Sequence, residues 1–232
     1  MSELNKELQL AEEELKDLEH QSFLDDSTGL RLSVQKIKMP SGGSTYFDLG
    51  DGKPVNDLTG LIIDNYDIKT CFLQPFNGEE NRPDCQSKDC ITGIDKEGNE
   101  HQCNSCEYGK FVKGEKSKCS TRRRIYFIPE GKDLPFLILV PPTSMRSFRQ
   151  YVERLQYANQ TTRTVITRMW LKAEKSNTGF PYASIQFIVQ RELEGSERAE
   201  ALIKAKELRP LTRFEYVPDE EEGTIMVPEF PE

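Results

Sequence analysis

The segment at about 76–120 constrains this chain most, because it is too polar to form a hydrophobic core by itself. It is rich in Gly, Asn, Asp and Lys, and it holds five of the six cysteines of the 232-residue chain. A polar segment of this length becomes ordered only if something other than apolar burial offsets its conformational entropy. The grouped cysteines therefore predict a structural metal site in this segment.

The cysteines of the segment are Cys85, Cys90, Cys103, Cys106 and Cys119. Cys103 and Cys106 form a CxxC knuckle, whose two thiolates reach a single tetrahedral ion. Zn²⁺ is the expected cofactor, because it accepts four sulfur ligands and needs no redox chemistry. The spacing allows Cys85 to complete the site together with either Cys90 or Cys119.

Two further residues bear on this metal site. His101 lies beside the knuckle and can replace one of the sulfur ligands. Cys71 lies in a predicted strand among apolar residues, so we expect it to be a buried thiol. A catalytic zinc ion usually has more His or carboxylate ligands, and the chain has only two histidines. The sequence therefore favours a structural site.

Outside this segment the chain has the alternation and turn signals of a β-rich domain. Strands are predicted at about 58–72, 122–129, 135–140, 164–173 and 182–193. An amphipathic helix at about 145–157 follows the third strand, and a short helix at about 195–208 follows the fifth. The order matches a five-stranded, OB-like Greek-key barrel. The expected fold class is therefore mainly β, and another antiparallel α+β sheet is the alternative.

Charge divides the chain into three parts. Residues 1–26 carry a net charge of −7 and residues 215–232 another −7, so the rest carries +6 within the total of −8. We predict an acidic helical arm at 1–26, an OB-like domain at 27–209 with the zinc-binding insertion at about 76–120, and an acidic flexible tail at 210–232. The leucine spacing of the arm indicates one apolar stripe, which docks on the domain or binds a partner.

Several functional classes are disfavoured by the sequence. No stretch approaches the ~20 apolar residues of a membrane helix, so no membrane association is expected. The acidic N-terminus is unlike a secretory signal, so a soluble, cytoplasmic protein is expected. The chain has no P-loop, GxGxxG, nucleophile motif or carboxylate cluster with metal-ligand spacing, so we do not expect an enzyme.

Three predicted strands place apolar residues on one face and cations with aromatic rings on the other. In the second strand, Ile125 and Phe127 are expected to face the core, while Arg122, Arg124 and Tyr126 face outward. Cations neutralise phosphates without reading sequence, and aromatic rings stack on unpaired bases. This surface predicts binding of single-stranded nucleic acid. The predicted contact residues are Tyr108, Lys110, Phe111, Lys113, Arg122, Arg124, Tyr126, Arg168, Trp170, Lys172 and Tyr182.

The C-terminal tail reads FEYVPDEEEGTIMVPEFPE after Arg213 and is too short and charged to fold alone. Its negative charge can occupy the basic groove when nucleic acid is absent, and so regulate binding. Its apolar end can recruit replication or recombination proteins. The alternative is a tail that only keeps the chain in solution.

Four stretches of the chain form a pattern: PDCQS at 83–87, CNSC at 103–106, Cys119 followed by RRIY at 123–126, and LVPPTS at 139–144 with Phe148 and Arg149. The pattern resembles OB-type single-stranded-DNA-binding proteins with a zinc-binding loop, encoded by bacteriophages and mobile elements of bacteria. The resemblance covers about residues 30–190 and implies a location in a bacterial host cell. It also implies Cys85, Cys103, Cys106 and Cys119 as the zinc ligands. Cys90 stands where the family pattern has glycine.

These features together predict a DNA-binding protein that coats and protects unwound single strands during replication or recombination, with little sequence preference. The alternative is a zinc-stabilised module that binds another protein of a phage or mobile-element replication complex, without contacting nucleic acid. The two hypotheses differ in whether the outward arginines contact phosphate.

Overall fold

A computed structural model describes residues 34–40, 43–50, 52–74, 83–110, 117–176 and 179–213. The predicted arm at 1–26 lies outside the described residues, as do Phe111, Lys113 and the tail beyond Arg213. Residues Gln35–Thr212 form one compact unit.

The strands are β1 (Lys36–Ile37), β2 (Phe47–Asp48), β3 (Pro54–Val55), β4 (Asp57–Cys71), β5 (Cys85–Ser87), β6 (Thr92–Asp95), β7 (Glu100–Gln102), β8 (Cys119–Pro129), β9 (Phe136–Val140), β10 (Val165–Lys175) and β11 (Pro181–Glu192). The helices are α1 (Met145–Tyr157), α2 (Gly195–Glu207) and α3 (Arg209–Arg213), with 3-10 turns at Glu107–Gly109 and Pro142–Ser144. The five predicted strands and two predicted helices are all present, with ends within three residues of those predicted. The fold is mainly β, as predicted.

The long strand β4 organises the main sheet. It pairs antiparallel with β8 along one edge, while its other edge is shared by β10 near its start and β5 near its end. The sheet continues from β8 to β9 and β1, from β5 to β6 and β7, and from β10 to β11. Only the β1–β9 pair is parallel among the described strands, so the sheet is mixed.

A glycine allows β4 and β8 to approach each other at the point where the register shifts. A Cβ atom at Gly60 would lie 2.0 Å from the carbonyl oxygen of Ile128, a distance that no side chain tolerates. The register shift between Ile62 and Asp64 follows two residues later. An irregularity of this kind bends a strand and increases its twist, which lets β4 serve two partners on one edge.

Within the described residues, the sheet does not close into the barrel expected from the sequence. Closure requires β9 to pair with β11, but β9 pairs with β8 and β1, and β11 pairs with β10 alone. Two side chains, one directly before α1 and one within it, form hydrogen bonds with the free edge of β11. The Ile185 amide donates to Ser144 Oγ at 2.9 Å, and the Phe187 carbonyl accepts from Arg154 Nη2 at 3.3 Å. These contacts satisfy backbone groups that a barrel strand would otherwise pair.

The hydrophobic core lies between one face of the sheet and α1. The inward residues predicted by alternation are buried there, including Ile125 and Phe127, both 0% exposed. Phe148 and Tyr151 of α1 pack against Phe187 with ring centroids 5.1 and 5.8 Å apart. The remaining buried members are Ile37, Phe47, Leu58, Ile62, Ile138, Val140, Leu155, Val165, Met169, Leu171, Ala183 and Ile185. Alternation therefore assigned the core face correctly.

The C-terminal helices pack on the opposite face of β4. Ala201 and Ala205 of α2 are buried, and Thr212 of α3 is 1% exposed. The Thr212 hydroxyl donates to Asp64 Oδ2 at 2.8 Å, and its carbonyl accepts from the Tyr66 hydroxyl at 2.9 Å. The sequence placed the start of the tail at residue 210, but these bonds hold the chain in the compact unit through Thr212.

None of the helices in the described ranges is both long and apolar enough to cross a bilayer.

Candidate nucleic-acid interface and cysteine cluster

Arg122 and Arg124 lie on the face of β8 that points away from the hydrophobic core, which we call the outer face. The register with β4 places Arg122 opposite Ile68 and Arg124 opposite Tyr66. Cross-strand partners share a face, so these four side chains form one patch. We call Arg122 and Arg124 the arginine pair.

The arginine pair is half-buried and lacks a neutralising carboxylate. The Nε atoms of both residues are buried and have no hydrogen-bond partner, and no ion pair involves either residue in the part of the chain that the structure describes. Burial lowers the pKa of Arg122. Burial also disfavours the charge of Arg124, but the hydroxyls of Tyr66 and Tyr126 outweigh it and raise the pKa of Arg124.

Aromatic rings border the arginine pair. The Arg122 guanidinium lies 5.6 Å from the centroid of the Phe72 ring. Tyr66 stacks on Tyr126 with centroids 6.2 Å apart and 27° between the rings. Sequence analysis missed Phe72 and Tyr66 as site residues. Period-2 spacing along β4 was the signal that could have found them, because residues 66, 68 and 72 share one face.

Tyr126 itself is a correction to the predicted interface. It was expected to face solvent, but it is 2% exposed. The Tyr66 ring stacks against it, and burial raises its pKa, with the neighbouring Tyr66 adding to the effect. A ring this buried is not available to stack on a base in the described state, so Tyr126 supports the arginine pair from beneath.

A second set of predicted contact residues lies on β10 and β11, and we call it the tryptophan patch: Arg168, Trp170, Lys172 and Tyr182. Register places it on the same outer face, with Arg168 opposite Thr59 of β4. Its charged members are paired with carboxylates. Arg168 Nε donates to Asp57 at 2.7 Å, and Lys172 Nζ lies 3.3 Å from Glu174.

Glu174 is the centre of the polar network in this patch. The Tyr182 hydroxyl donates to Glu174 at 2.8 Å and lowers the pKa of the carboxyl, and Lys172 adds to that effect. Trp170 is 36% exposed, whereas Arg168 and Lys172 are more exposed still. The patch is therefore accessible but locally close to neutral.

The arginine pair and the tryptophan patch do not form one continuous trough. Thr59 and Tyr66, which mark their positions on β4, are about 20 Å apart along the strand. Between them lies Asp64, 2% exposed, which accepts bonds from Thr212 of α3 and from Arg163 Nη2 at 3.0 Å. The C-terminal helices thus cover the outer face between the two sets, which the strand pattern did not predict.

The remaining predicted contacts lie near the cysteines. Tyr108 is 38% exposed, and Lys118 Nζ lies 5.6 Å from the centroid of its ring. Lys110 is exposed just after the 3-10 turn. Phe111 and Lys113 lie outside the described residues, so their position relative to either set is not assigned.

Three cysteines form a row across adjacent strands. Cys71 of β4 is opposite Cys85 of β5 on one side and opposite Cys119 of β8 on the other. The three side chains therefore point to the same face of the sheet. Residues 71 and 119 have the opposite parity to residues 68 and 122, so this row lies on the other face from the arginine pair.

The knuckle completes the cysteine cluster. Cys103 and Cys106 line a cavity of about 280 Å³ together with the row. A Cβ atom at Gly93 would lie 2.8 Å from the Cys85 sulfur and 3.6 Å from the Cys103 sulfur, so glycine leaves room for the Cys85 thiol on the side where Cys103 also lies. The structure thus brings together the four cysteines predicted as ligands, and it adds Cys71 as a fifth.

Cys90 and His101 are placed differently from the cluster. Cys90 does not line the cavity, and its φ of 63° is in the left-handed region that favours glycine. His101 lines the cavity, but its Nε2 atom lies 2.7 Å from Asp95 Oδ2.

Burial is the main influence on the pKa values of the three thiols in the row. Burial, followed by the neighbouring cysteines, raises the pKa of Cys71 and of Cys85 to about 11, and burial raises the pKa of Cys119. Among the described residues, no group of three or more His, Cys, Asp or Glu side chains stands ready in metal-binding geometry.

Comparison with known proteins does not assign the chain to a family. No family model, curated protein or solved structure matches it.

Proposed function

We propose that this chain binds single-stranded DNA by contacting phosphates with the arginine pair, and that it acts by binding and not by catalysis. Its role is to coat unwound strands with little sequence preference during replication or recombination. The observation that carries the proposal is the arginine pair itself, which has two half-buried cations, two buried Nε atoms without hydrogen-bond partners and no ion pair in the described ranges.

A phosphate is the ligand that this arrangement fits best. A partly desolvated guanidinium without an anionic partner is costly, because neutral groups such as the hydroxyls beside Arg124 and the Phe72 ring beside Arg122 do not neutralise its charge. Phosphate oxygens accept paired N–H bonds from arginine, and such charge-assisted bonds are stronger than neutral ones. Arg122 and Arg124 are two residues apart on one strand face, so they can contact phosphates of the same DNA strand.

The bordering rings favour an unpaired strand over a duplex. Phe72 lies beside Arg122, and it is only partly buried. Stacking of a base on such a ring contributes ~1–3 kcal/mol and requires a base that is free of its partner. A duplex presents phosphates without accessible base faces, so it would use the arginines alone.

The strand connections also support an OB-like domain. Four pairings of that fold occur in its chain order, namely β4–β8, β8–β9, β4–β10 and β10–β11, and α1 follows the third of these strands. OB folds bind oligonucleotides on the face of their second and third strands. In this chain the second strand is β8, which carries the arginine pair.

The acidic tail is proposed to regulate this site and to recruit partner proteins. Thr212, the last residue of the compact unit, accepts a bond from Tyr66, the residue opposite Arg124. The tail carries seven acidic residues and no basic ones. Its charge can therefore compete with weakly bound anions for the two guanidinium groups.

The test is a fluorescence-anisotropy titration of labelled oligo-dT and of a duplex with the full-length protein. The Arg122→Ala/Arg124→Ala double variant is compared with the Arg168→Ala/Lys172→Ala double variant, which removes the same charge from the tryptophan patch. Losing charge-assisted bonds of about 1.5 kcal/mol at each arginine predicts roughly a hundredfold weaker binding. The control is expected to weaken binding by less than about threefold, because its cations are already paired and exposed.

Salt dependence gives a second readout of the same proposal. Removing two phosphate contacts should lower the slope of log affinity against log salt by about two. Equal affinity of wild type for duplex and oligo-dT would contradict the proposal, as would unchanged binding by Arg122→Ala/Arg124→Ala. The second result would favour the alternative of a module that binds protein.

A further inference from the structure

We propose that the cysteine cluster is a Zn²⁺ site with five thiols, in which Cys71 is a reserve ligand that can replace Cys119. The sequence suggested Cys71 as a buried core thiol, and nothing in the strand pattern joined it to the metal ligands. The proposal depends on the strand register, on the cavity and on the close approach at Gly93. It does not depend on nucleic-acid binding.

The register places Cys71 and Cys119 at one of the closest pairings that a sheet provides. The Phe72 amide donates to the Lys118 carbonyl at 3.0 Å, so the neighbouring pair, Cys71 with Cys119, is the non-hydrogen-bonded kind. In such a pair the Cα atoms are only ~4.5 Å apart and the side chains point the same way. The two sulfurs can therefore reach the same coordination position.

The other three proposed ligands are Cys85 of the row and the two cysteines of the knuckle. Cys85 is opposite Cys71 on β5, and its sulfur and that of Cys103 both lie beside Gly93. Cys103 brings Cys106 with it through the CxxC knuckle. Cys85, Cys103 and Cys106 are thus the proposed ligands common to both arrangements, and Cys119 and Cys71, which line the same cavity, are the alternatives for the fourth position.

Thiol chemistry selects the class of metal. Four sulfur donors around one point favour a d¹⁰ ion such as Zn²⁺, with Zn–S bonds of ~2.3 Å. Each bound thiol releases its proton to solvent when its sulfur bonds the metal, and no oxidation state changes. Lys69 lines the same cavity and offsets part of the negative charge that four thiolates bring.

His101 and Cys90 are poorer candidates for the fourth position. His101 already holds Asp95 through Nε2 and is nearly half exposed. Cys90 does not line the cavity. Cys71 is 3% exposed, and it lies beside the thiols that it would join.

The experiment strips metal from the reduced full-length protein with a chelator and then titrates it with Zn²⁺ and, separately, with Co²⁺. The Co²⁺ absorption bands report tetrahedral sulfur coordination. The variants are Cys71→Ser, Cys119→Ser, the double variant of both, and Cys103→Ser, with Cys90→Ser as the matched control. Circular dichroism follows each titration, so a variant that folds only when Zn²⁺ is added still scores as binding.

The metal affinities expected for these variants distinguish a reserve ligand from a cysteine that does not bind the metal. Wild type, Cys71→Ser and Cys90→Ser bind one ion equally well, and Cys119→Ser binds one ion within about tenfold. Cys103→Ser and the Cys71→Ser/Cys119→Ser double variant bind more than roughly a hundredfold more weakly, since loss of a ligand exceeds the 10–100-fold cost of losing its outer-shell support.

Three results would overturn the proposal. If wild type binds neither metal, the cluster is not a metal site. If Cys119→Ser alone loses the ion, Cys71 cannot replace it and is only a core thiol. If Cys71→Ser alone loses the ion, Cys71 is an obligatory ligand and not a reserve. None of these readouts includes an oligonucleotide, so they leave the proposed DNA binding to its own test.

Discussion

The arginine pair and the tryptophan patch differ in how their charges are neutralised, although the same alternation predicted both. Arg168 and Lys172 each have a carboxylate partner, whereas no carboxylate pairs with Arg122 or Arg124 in the described part of the chain. Alternation along a strand identifies a face, but it does not identify what lies opposite. The pairing partners decide which cations remain available to a phosphate.

The carboxylate partners of Lys172 and Arg168 differ in whether the sequence alone could predict them. Glu174 is two residues after Lys172 on the same strand, so period-2 spacing already placed the two on one face. Asp57 reaches Arg168 only because β10 pairs with the start of β4, 111 residues earlier in the chain. That register depends on the whole sheet, so a local pattern could not provide it.

The largest expected effect concerns Asp64, which anchors the C-terminal helices between the two sets. Asp64→Asn removes the charge that faces Arg163 and weakens the bond from Thr212. Breaking a buried pair costs about 3–5 kcal/mol, and we expect about 2 kcal/mol here because Arg163 is 40% exposed and can reach water. Urea denaturation measures the loss as a lower midpoint at unchanged slope.

Asp67→Asn is the matched control for this stability prediction. Asp67 also accepts a bond from an arginine, Arg123, at 2.8 Å, but its side chain is 41% exposed. An exposed pair contributes about 0–1 kcal/mol, so the control should lose less than half as much stability. Equal losses in the two variants would mean that Asp64 does not anchor α3, and that the two sets are separated by something else.

The fold was largely predictable because its strands obey local rules. Alternation and turn residues placed β8, β9, β10 and β11, and the residues expected to face inward are buried or packed against the core. Closure of the barrel was not predictable in this way. Whether the edge of β11 pairs with β9 depends on Ser144, directly before α1, and on Arg154 of α1. Their bonds to that edge join elements that are distant in sequence.

The sequence predicted most of the residues of the candidate site, but it did not predict their burial or their partners on neighbouring strands. Spacing joined Cys85 and the CxxC knuckle with either Cys90 or Cys119, and the resemblance implied Cys119; the structure places Cys85, Cys103, Cys106 and Cys119 around one cavity. It could not add Cys71, because that cysteine joins the row only through its register with β5 and β8. Tyr126 was misplaced for the same reason, since its burial comes from packing on the outer face that alternation treats as solvent.

A conservative exchange at the arginine pair tests whether geometry or charge alone matters there. Arg122→Lys/Arg124→Lys keeps both positive charges but replaces each planar fork with a point charge. We expect oligo-dT binding to weaken by about tenfold while the salt slope changes little, because the number of neutralised phosphates is preserved. Anisotropy titrations across a salt series measure both quantities.

The matched exchange in the tryptophan patch is Arg168→Lys. It should leave oligo-dT affinity within about twofold, because Arg168 is directed at Asp57 and not at a ligand. If the two lysine exchanges weaken binding equally, the distinction between paired and unpaired arginines does not govern the interface.

Removing the carboxylates of the tryptophan patch should make it resemble the arginine pair. Asp57→Asn/Glu174→Gln leaves Arg168 and Lys172 unpaired and makes the surface more positive by two charges. Oligo-dT binding is then expected to strengthen about three- to fivefold at low salt, and the gain should fade as salt screens the added field. Glu97→Gln/Glu100→Gln, which makes the same change of charge on exposed positions of the cysteine segment, is the control. Equal gains in both variants would mean that net charge alone is responsible.

The smallest expected effect concerns Trp170, the only tryptophan in the chain and therefore a direct reporter of the tryptophan patch. With 36% of its surface exposed, part of the ring can meet a base, but its neighbours offer no unpaired cation to hold the strand there. We expect Trp170→Ala to weaken oligo-dT binding by less than about threefold, and wild-type fluorescence to fall only slightly on binding. Strong quenching, together with a loss comparable to the ~1–3 kcal/mol of a full stacking contact, would place the strand across both sets. The helices over Asp64 would then have to move when DNA binds, and the arginine pair would be only one end of a longer interface.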